Sequence, residues 1–437
     1  MHTIFAPITS YSSSISIIRI SGTSALECLK KFGIKRNLNA NEIKLCNIYN
    51  PDTKELLDFS LISYFKAPNS FTGEDIVEIN LHGSVYITKV ILSILSSIEG
   101  YRIAEPGEFS KRAFLNKKID LVQAEAINDI VKSETFLQHK IALGQLRGDL
   151  SSIYEDWRGQ LIYIMALIES FIDFPDEDIP SNIMHDVNKM VSDLKNKIKA
   201  HINDNNVGIK IKNGLSLAII GPANVGKSSL LNYLAKSDVA IVCDEAGTTR
   251  DVIEIHLDIA GFPVRIADTA GIRNTDNKIE AEGIRRAIDK AKFADLKIYL
   301  FDNNNFTFNH EIIDEDTIKI LNKIDLESNL EKKFEKNNYD LAISIKEGIN
   351  LNLLIKLLED KIKDKMPNFD QSLITHQRYK ESLMLALKNI ENFSLENNIE
   401  IAAEDLRQAS YQISRITGKI GVDEILDIVF SKFCIGK

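Results

Sequence analysis

Residues 221–229 read GPANVGKSS, two glycines five positions apart with lysine and serine directly behind the second. Glycine lets the backbone turn successive N–H groups inward around a diphosphate. Lys227 can bring a mobile cation to the β and γ phosphates, and the Ser228 hydroxyl can ligate Mg²⁺. Asn224, Val225, Gly226, Lys227, Ser228 and Ser229 are therefore expected to line the phosphates of a nucleotide. The context suits the motif: the apolar run LSLAII precedes it as a strand and SLLNYLA follows as a helix, whose N-terminus favours an anion.

Downstream segments complete a purine site. DTAG (Asp268, Thr269, Ala270, Gly271) ends the strand VRIAD; Asp268 can hold the Mg²⁺ shell and the Gly271 N–H can sense a γ-phosphate. NKID supplies Asn322, Lys323 and Asp325 directly after IKIL. The Asp325 carboxylate can accept from N1–H and the 2-amino group of guanine, a donor pair that adenine lacks, so the nucleotide expected is GTP. SIK (Ser344, Ile345, Lys346) is consistent with a loop closing over the base. Between the lysine and DTAG lies CDEAGTTRD, with Cys243, Asp244, Glu245, Ala246, Gly247, Thr248 and Thr249. A threonine there completes a Mg²⁺ shell only when γ-phosphate is bound, which makes the loop a switch. Ile272 stands where Ras-like switches carry a water-orienting glutamine, so the catalytic group must come from elsewhere. Asp276, Glu280 and Glu282 are candidates between which spacing does not choose.

The elements that position these residues can be read from texture. From 215 onward, strands alternate with helices, which gives a mainly parallel sheet with one antiparallel hairpin turning at AGFP, residues 260–263. Residues 1–117 mix short alternations such as ISIIRI and DIVEINL with one helical run near 84–98, the pattern of a small α+β domain. The opening segment alternates like a strand and has no basic start, unlike a signal peptide. From 118, glycine is scarce and Trp157, Leu161, Ile164, Ile168 and Phe171 recur at helical spacing. FPDEDIP breaks the helices, and the chain is helical again after Pro367.

The expected fold is thus multidomain: 1–117, a helical stretch 118–210, an inserted α/β unit 211–366, and a second helical stretch 367–437. Glycine and proline are few, 21 and 9 in 437 residues, as suits a helix-rich chain, and eight of the glycines fall between 208 and 283. A net charge of −9 excludes a chain that is basic throughout and restricts any RNA contact to a local patch. Four scattered cysteines, Cys28, Cys46, Cys243 and Cys434, make neither a disulfide framework nor a metal site, which fits a reducing compartment. The most apolar segment, 161–174, is too short and too acidic to span a bilayer.

Beside the nucleotide motifs stand SFTGEDIVEINLHGS, RIAEPGEFSKRAFLNKKIDLVQAEAI, FIDFPDEDI and a terminal FCIGK. Together they resemble the tRNA-modification GTPase family known as MnmE or TrmE, over essentially the whole chain. The resemblance implies an N-terminal folate-binding domain that dimerises, a helical domain and an inserted GTPase domain. It implies a cytoplasmic enzyme that, with an FAD-dependent partner, adds an aminomethyl-type group to C5 of the wobble uridine of certain tRNAs. The carbon would come from a tetrahydrofolate derivative carrying a 5-formyl or 5,10-methylene unit. Family folate contacts fall on Arg19, Glu78, Lys118 and Lys437. K⁺ would be held by Asn224, Cys243, Glu245 and Thr248, leaving Thr249 with Ser228 for Mg²⁺, and the water-orienting glutamate maps onto Glu280. Cys434 matches a family cysteine near the folate site. TSYSSS stands where the family has a glycine-rich turn. The competing reading is a ribosome-assembly GTPase switch without modification chemistry, but the tail FSKFCIGK is too short for the RNA module such proteins append. A membrane-remodelling GTPase is disfavoured because no basic amphipathic anchor is present.

Overall fold

A computed structural model describes residues 2–10, 13–35, 38–173, 183–204, 206–241, 254–267, 292–304, 313–326, 339–366, 372–395, 398–421, 423–431, 433, 434 and 436. Within them the helices are α1 (Cys28–Lys31), α2 (Val85–Ser96), α3 (Glu108–Leu115), α4 (Leu121–Val131), α5 (Phe136–Arg147), α6 (Asp149–Asp173), α7 (Ile183–Ile202), α8 (Val207–Asn213), α9 (Lys227–Leu234), α10 (Leu351–Lys365), α11 (Gln377–Asn392), α12 (Ile399–Thr417) and α13 (Asp423–Phe430). Packing divides the chain into two units. One comprises Met1–Asn128, Gln145–Lys195 and Ser382–Lys437; the other comprises Asp129–Gly144 and Asn196–Glu381. Residues 129–144, expected within the helical stretch, pack with the second unit.

The first unit holds a sheet of β1 (Thr3–Pro7), β2 (Ile15–Ser21), β3 (Ile43–Tyr49), β4 (Leu56–Phe65), β5 (Ile76–His82) and β6 (Tyr101–Ile103), in the order β3-β4-β5-β2-β1-β6. Its pairs are antiparallel except β1 with β6. Strand alternation decides the faces. Ile18, Ile20, Val77, Ile79 and Leu81 turn to one side and bury against Ile91, Ile94 and Leu95 of α2, a helix whose Ser84 side chain caps its N-terminus. Arg19, Ser21 and Glu78 turn to the other face.

The expected helical stripe is present: Trp157, Leu161, Ile164 and Ile168 of α6 are buried, with Phe171 half-buried. On α12, Ala402, Ala403, Leu406, Ala409 and Ile413 are buried in turn. Arg158 Nε donates to Ser414 Oγ at 3.1 Å, and Glu155 accepts from Thr417 and Lys419, which joins α6 to α12.

The second unit is built on β7 (Leu215–Ile220), β8 (Ala240–Ile241), β9 (Glu254–Ile259), β10 (Phe262–Ala267), β11 (Leu296–Phe301), β12 (Thr317–Leu321) and β13 (Leu341–Ala342), in the order β13-β12-β11-β7-β10-β9-β8. All pairs are parallel except the β9–β10 hairpin and the β8 edge. β11 is buried along its whole length, as expected of a strand covered on both faces. The hairpin turns at Ala260 and Gly261, both at positive φ, the geometry of a two-residue turn that matches strand twist. FPDEDIP, residues 174–180, lies outside the described residues, and α6 ends before it at Asp173. Among the described residues, no helix is long and apolar enough to cross a membrane.

A buried charge network holds α3 to the first sheet. Glu108 accepts from Arg102 at 2.7 and 2.5 Å and from Arg112 at 3.0 Å, and Arg112 forks onto Glu74 at 2.9 and 3.2 Å. Glu74 in turn accepts from Ser21 on β2 at 2.8 Å. Burial opposes ionisation of Glu108, but the hydrogen bonds from Arg102, the Glu105 amide and Arg112 outweigh it and hold its carboxyl below the ordinary value. A depressed carboxyl stabilises fully above its unfolded value of about 4.3 and loses that contribution as pH falls through the folded value. Glu108→Gln should therefore cost about 3 kcal/mol at neutral pH, because two guanidinium groups lose their buried anion. Urea melts should show the gap closing toward acid pH; a gap constant with pH would refute an electrostatic origin.

Candidate nucleotide and folate sites

The parallel strands β13, β12, β11, β7 and β10 end on one edge of their sheet, and β7 sits where the order reverses, between β11 and β10. Ligands in open α/β sheets bind in the crevice at such a point. The loop after β7 is the glycine-rich motif. Gly221 has φ 145°, and a Cβ there would lie 1.9 Å from the Leu300 carbonyl oxygen of β11, so only glycine fits. Asn224 adopts φ 59° and Gly226 φ 104°, which bends the loop into the N-terminus of α9. Val225 is buried, while Asn224, Ser228 and Ser229 are exposed. Lys227 Nζ lies over the loop, donating to the carbonyls of Gly221 at 2.9 Å and Pro222 at 2.6 Å.

The base-side motifs are tied to this loop by side chains. Asn322 is 4% exposed. Its Nδ2 donates to the Val225 carbonyl at 2.8 Å, and its Oδ1 accepts from the Ile345 amide at 3.2 Å. Lys323 Nζ crosses to the Asn224 carbonyl at 2.7 Å. Ser344 Oγ donates to Asp325 Oδ1 at 2.6 Å and orients that carboxylate, while Lys346 is exposed beside Glu347. Asn322, Lys323, Asp325, Ser344 and Ile345 are therefore brought together with the phosphate loop. Asp302, absent from the sequence reading, belongs with them: it is 2% exposed and pairs with Lys323 at 2.6 Å. The available signal was a single acid closing the apolar strand LKIYLFD.

On the face of the first sheet turned away from α2, Arg19 of β2 lies directly opposite Glu78 of β5. Arg19 Nε and Nη2 both reach Glu78 Oε1 at 2.8 Å. The guanidinium lies 5.5 Å from the Phe71 ring and 5.7 Å from Phe109, so a charged pair is walled by two aromatic faces. Lys118 donates to the Pro68 carbonyl at 2.9 Å, on the loop that carries Phe71. Phe433 of FCIGK is buried with Leu121, Ala124 and Phe430. Cys434 is exposed, and its carbonyl accepts from the Gly107 amide at 3.4 Å.

Cys243, Asp244, Glu245, Ala246, Gly247, Thr248, Thr249, Asp268, Thr269, Ala270, Gly271, Glu280 and Lys437 lie outside the described residues. Among the described residues no cluster of histidine, cysteine, aspartate or glutamate is arranged to hold a metal ion.

The family model for the MnmE helical domain matches residues 121–434, and that for the GTP-binding protein TrmE N-terminus matches residues 3–118. The chain belongs to the MnmE family of tRNA modification GTPases. The tRNA modification GTPase MnmE of Rickettsia bellii (strain OSU 85-389) is 46% identical over 450 residues, and that of Rickettsia rickettsii (strain Sheila Smith) is 46% identical over 446, each match covering 100% of both chains. Among solved structures, the G domain of the T. maritima FeoB iron transporter is 22% identical over 34% of this chain and 98% of its own; its TM-score of 0.24 gives it no weight. Membership makes the chain a GTPase of tRNA modification and sets aside the ribosome-assembly reading.

Two substitutions test this geometry. Asp302→Asn removes the charge that pins Lys323 and should weaken GDP binding about tenfold, the loss of a charge-assisted hydrogen bond; unchanged affinity would remove Asp302 from the site. Asp325→Asn turns an acceptor pair into a donor and acceptor, which suits xanthine. GDP affinity should fall and XDP affinity should rise, as read by titration with both nucleotides; parallel losses would contradict the role of Asp325 in reading the base.

Proposed function

We propose that the chain is the GTP-hydrolysing component of a cytoplasmic assembly that modifies C5 of the wobble uridine in certain tRNAs. With an FAD-dependent partner protein it would install an aminomethyl or carboxymethylaminomethyl group, drawing the carbon from a tetrahydrofolate derivative. The observation that carries this reading is full-length similarity to tRNA modification GTPases, from the N-terminal segment to the helical one. The working division is a folate-binding and dimerisation domain (1–117), a helical domain (118–210 and 367–437) and an inserted GTPase domain (211–366).

In the nucleotide site, Ser228 and Thr249 would hold Mg²⁺, with Asp268 and the Gly271 N–H close to the γ-phosphate. Asn224, Cys243, Glu245 and Thr248 would hold K⁺, whose charge offsets the negative charge that spreads over the transferring phosphoryl. Glu280 orients the attacking water and Lys227 neutralises the phosphate oxygens. What supports the folate site is its chemistry: the Arg19–Glu78 pair between Phe71 and Phe109 suits a flat ring with N–H donors, and Lys118 and Lys437 suit an anionic tail. Cys434 stands exposed nearby in sequence as a candidate for a direct chemical role.

A homodimer is supported by the same sheet face. Beyond Glu78 and Asn80 it exposes Ile43 and Leu45 of β3 with Phe59 and Leu61 of β4, large apolar side chains that a second copy would cover. GTP turnover should rise at least tenfold when Na⁺ is replaced by K⁺, and Glu280→Ala should lower turnover about a hundredfold with GTP binding retained; equal rates in the two salts would defeat the cation assignment. For the whole reading, mass spectrometry of tRNA nucleosides from cells lacking the gene should show wobble uridines without their C5 group, and normal wobble uridines would refute it.

A further inference from the structure

The corner between α4 and α5 grips the seven-stranded unit at three places. At the first, Asp129, near the end of α4, accepts from Lys212 Nζ at 2.8 Å and pairs with His376 Nε2 at 3.0 Å, while Lys212 Nζ also lies 3.1 Å from His376 Nδ1. Burial opposes the charged form of Asp129, but the hydrogen bond from His376 and the charge of Lys212 outweigh it and hold the carboxyl below its ordinary range. Lys212 lies in the last turn of α8 just before β7, the strand leading into the phosphate loop, and His376 stands directly before α11. The chain's way into the nucleotide-binding sheet and its way out, 164 positions apart, thus meet on one carboxylate. Gly208 supports the meeting: a Cβ there would lie 2.4 Å from the Ile374 carbonyl oxygen.

At the second place, Thr135 and Gln138 form a reciprocal cap on α5, with Gln138 Oε1 accepting from the Thr135 amide at 3.1 Å. The same Gln138 donates Nε2 to the Lys212 carbonyl at 3.0 Å. At the third, Glu134 pairs with His256 on β9 at 2.7 Å. Leu137 is the side chain nearest Gly261 in the β9–β10 turn, where a Cβ would meet its Cγ at 3.4 Å. In sequence, this hairpin joins residues 245–251 to DTAG, the two segments read above as responding to γ-phosphate. Its far end is the part that α5 holds.

Packed contacts of this kind switch between discrete arrangements rather than stretch. A shift of the hairpin must therefore be taken up at Glu134 and Leu137, and a shift at the foot of β7 must be taken up at Asp129. We propose that the α4–α5 corner passes the nucleotide state of the seven-stranded unit into helix α4, through the Asp129–Lys212–His376 cluster and the Glu134–His256 pair. Helix α4 is suited to carry it, because it is one continuous helix whose earlier turns belong to the other unit. The proposal rests on the reading of 245–251 and 268–271 as nucleotide-responsive.

Amide hydrogen exchange of the full chain, with GDP and with GDP plus aluminium fluoride, tests it. In the unsubstituted protein, exchange in peptides covering 121–131 should differ roughly threefold or more between the two states. Lys212→Met combined with Glu134→Ala should abolish that difference and Lys212→Arg should keep it, with basal GTP turnover unchanged in both. Fluorescent GDP titration and turnover on the same samples report on the nucleotide site itself, so a failed site is told apart from an unresponsive corner. Exchange in 121–131 that ignores nucleotide in the unsubstituted protein, or a response that survives the double substitution, overturns the proposal.

Discussion

One buried amide holds the nucleotide site together. Asn322 donates to the phosphate loop at Val225 and accepts from the base-side loop at Ile345, so three loops from β7, β12 and β13 are set by one side chain. Neither donor nor acceptor can be lost cheaply, because each would leave a buried polar group without its partner. Lys323 adds a second tie, bonding to the Asn224 carbonyl of the phosphate loop and pairing with Asp302 at the end of β11. The parallel sheet beneath makes this possible: its strands deliver all these loops to one edge, and Gly221 lets the phosphate loop lie against β11.

Sequence made the strands and the α6 stripe legible because burial imposes a period. β11 and β7 read as apolar runs since both faces are covered, and Trp157, Leu161, Ile164 and Ile168 read as a helix since one side is. The loops of the candidate nucleotide site stood out because phosphate chemistry demands particular types at particular spacings. Contacts between distant segments were not. Asp302 carries no spacing signal, since what defines it is Lys323 across the loop. Glu108, Arg112 and Glu74 stand within the segments that carry the family resemblance, yet nothing local shows that these charges are buried together. Nor does helical texture show that residues 129–144 pack with the nucleotide-binding unit; the partners Lys212, His376 and His256 lie far along the chain.

The two units use charge differently. In the first, Arg102, Glu108, Arg112 and Glu74 form a closed network in which each charge has a partner, a device that fixes geometry more than it adds stability. Arg19 and Glu78 sit on the same sheet at a less covered position, between two rings, where a ligand can compete for both. In the second unit, the charged ties lie at the rim: at the loops around the nucleotide edge, and at the foot where the chain enters and leaves. A sheet held rigid between those rims is suited to relay a change at one to the other.

The most direct test is calorimetric titration of the full chain with GDP and with ADP, alongside Asn322→Ala. If Asn322 and Asp325 build a guanine site, GDP should bind at least about a thousandfold more tightly than ADP, and Asn322→Ala should lose about a hundredfold in GDP affinity, as for a site whose buried polar groups are left unpaired. ADP binding within tenfold of GDP, or undiminished GDP binding by Asn322→Ala, would contradict it.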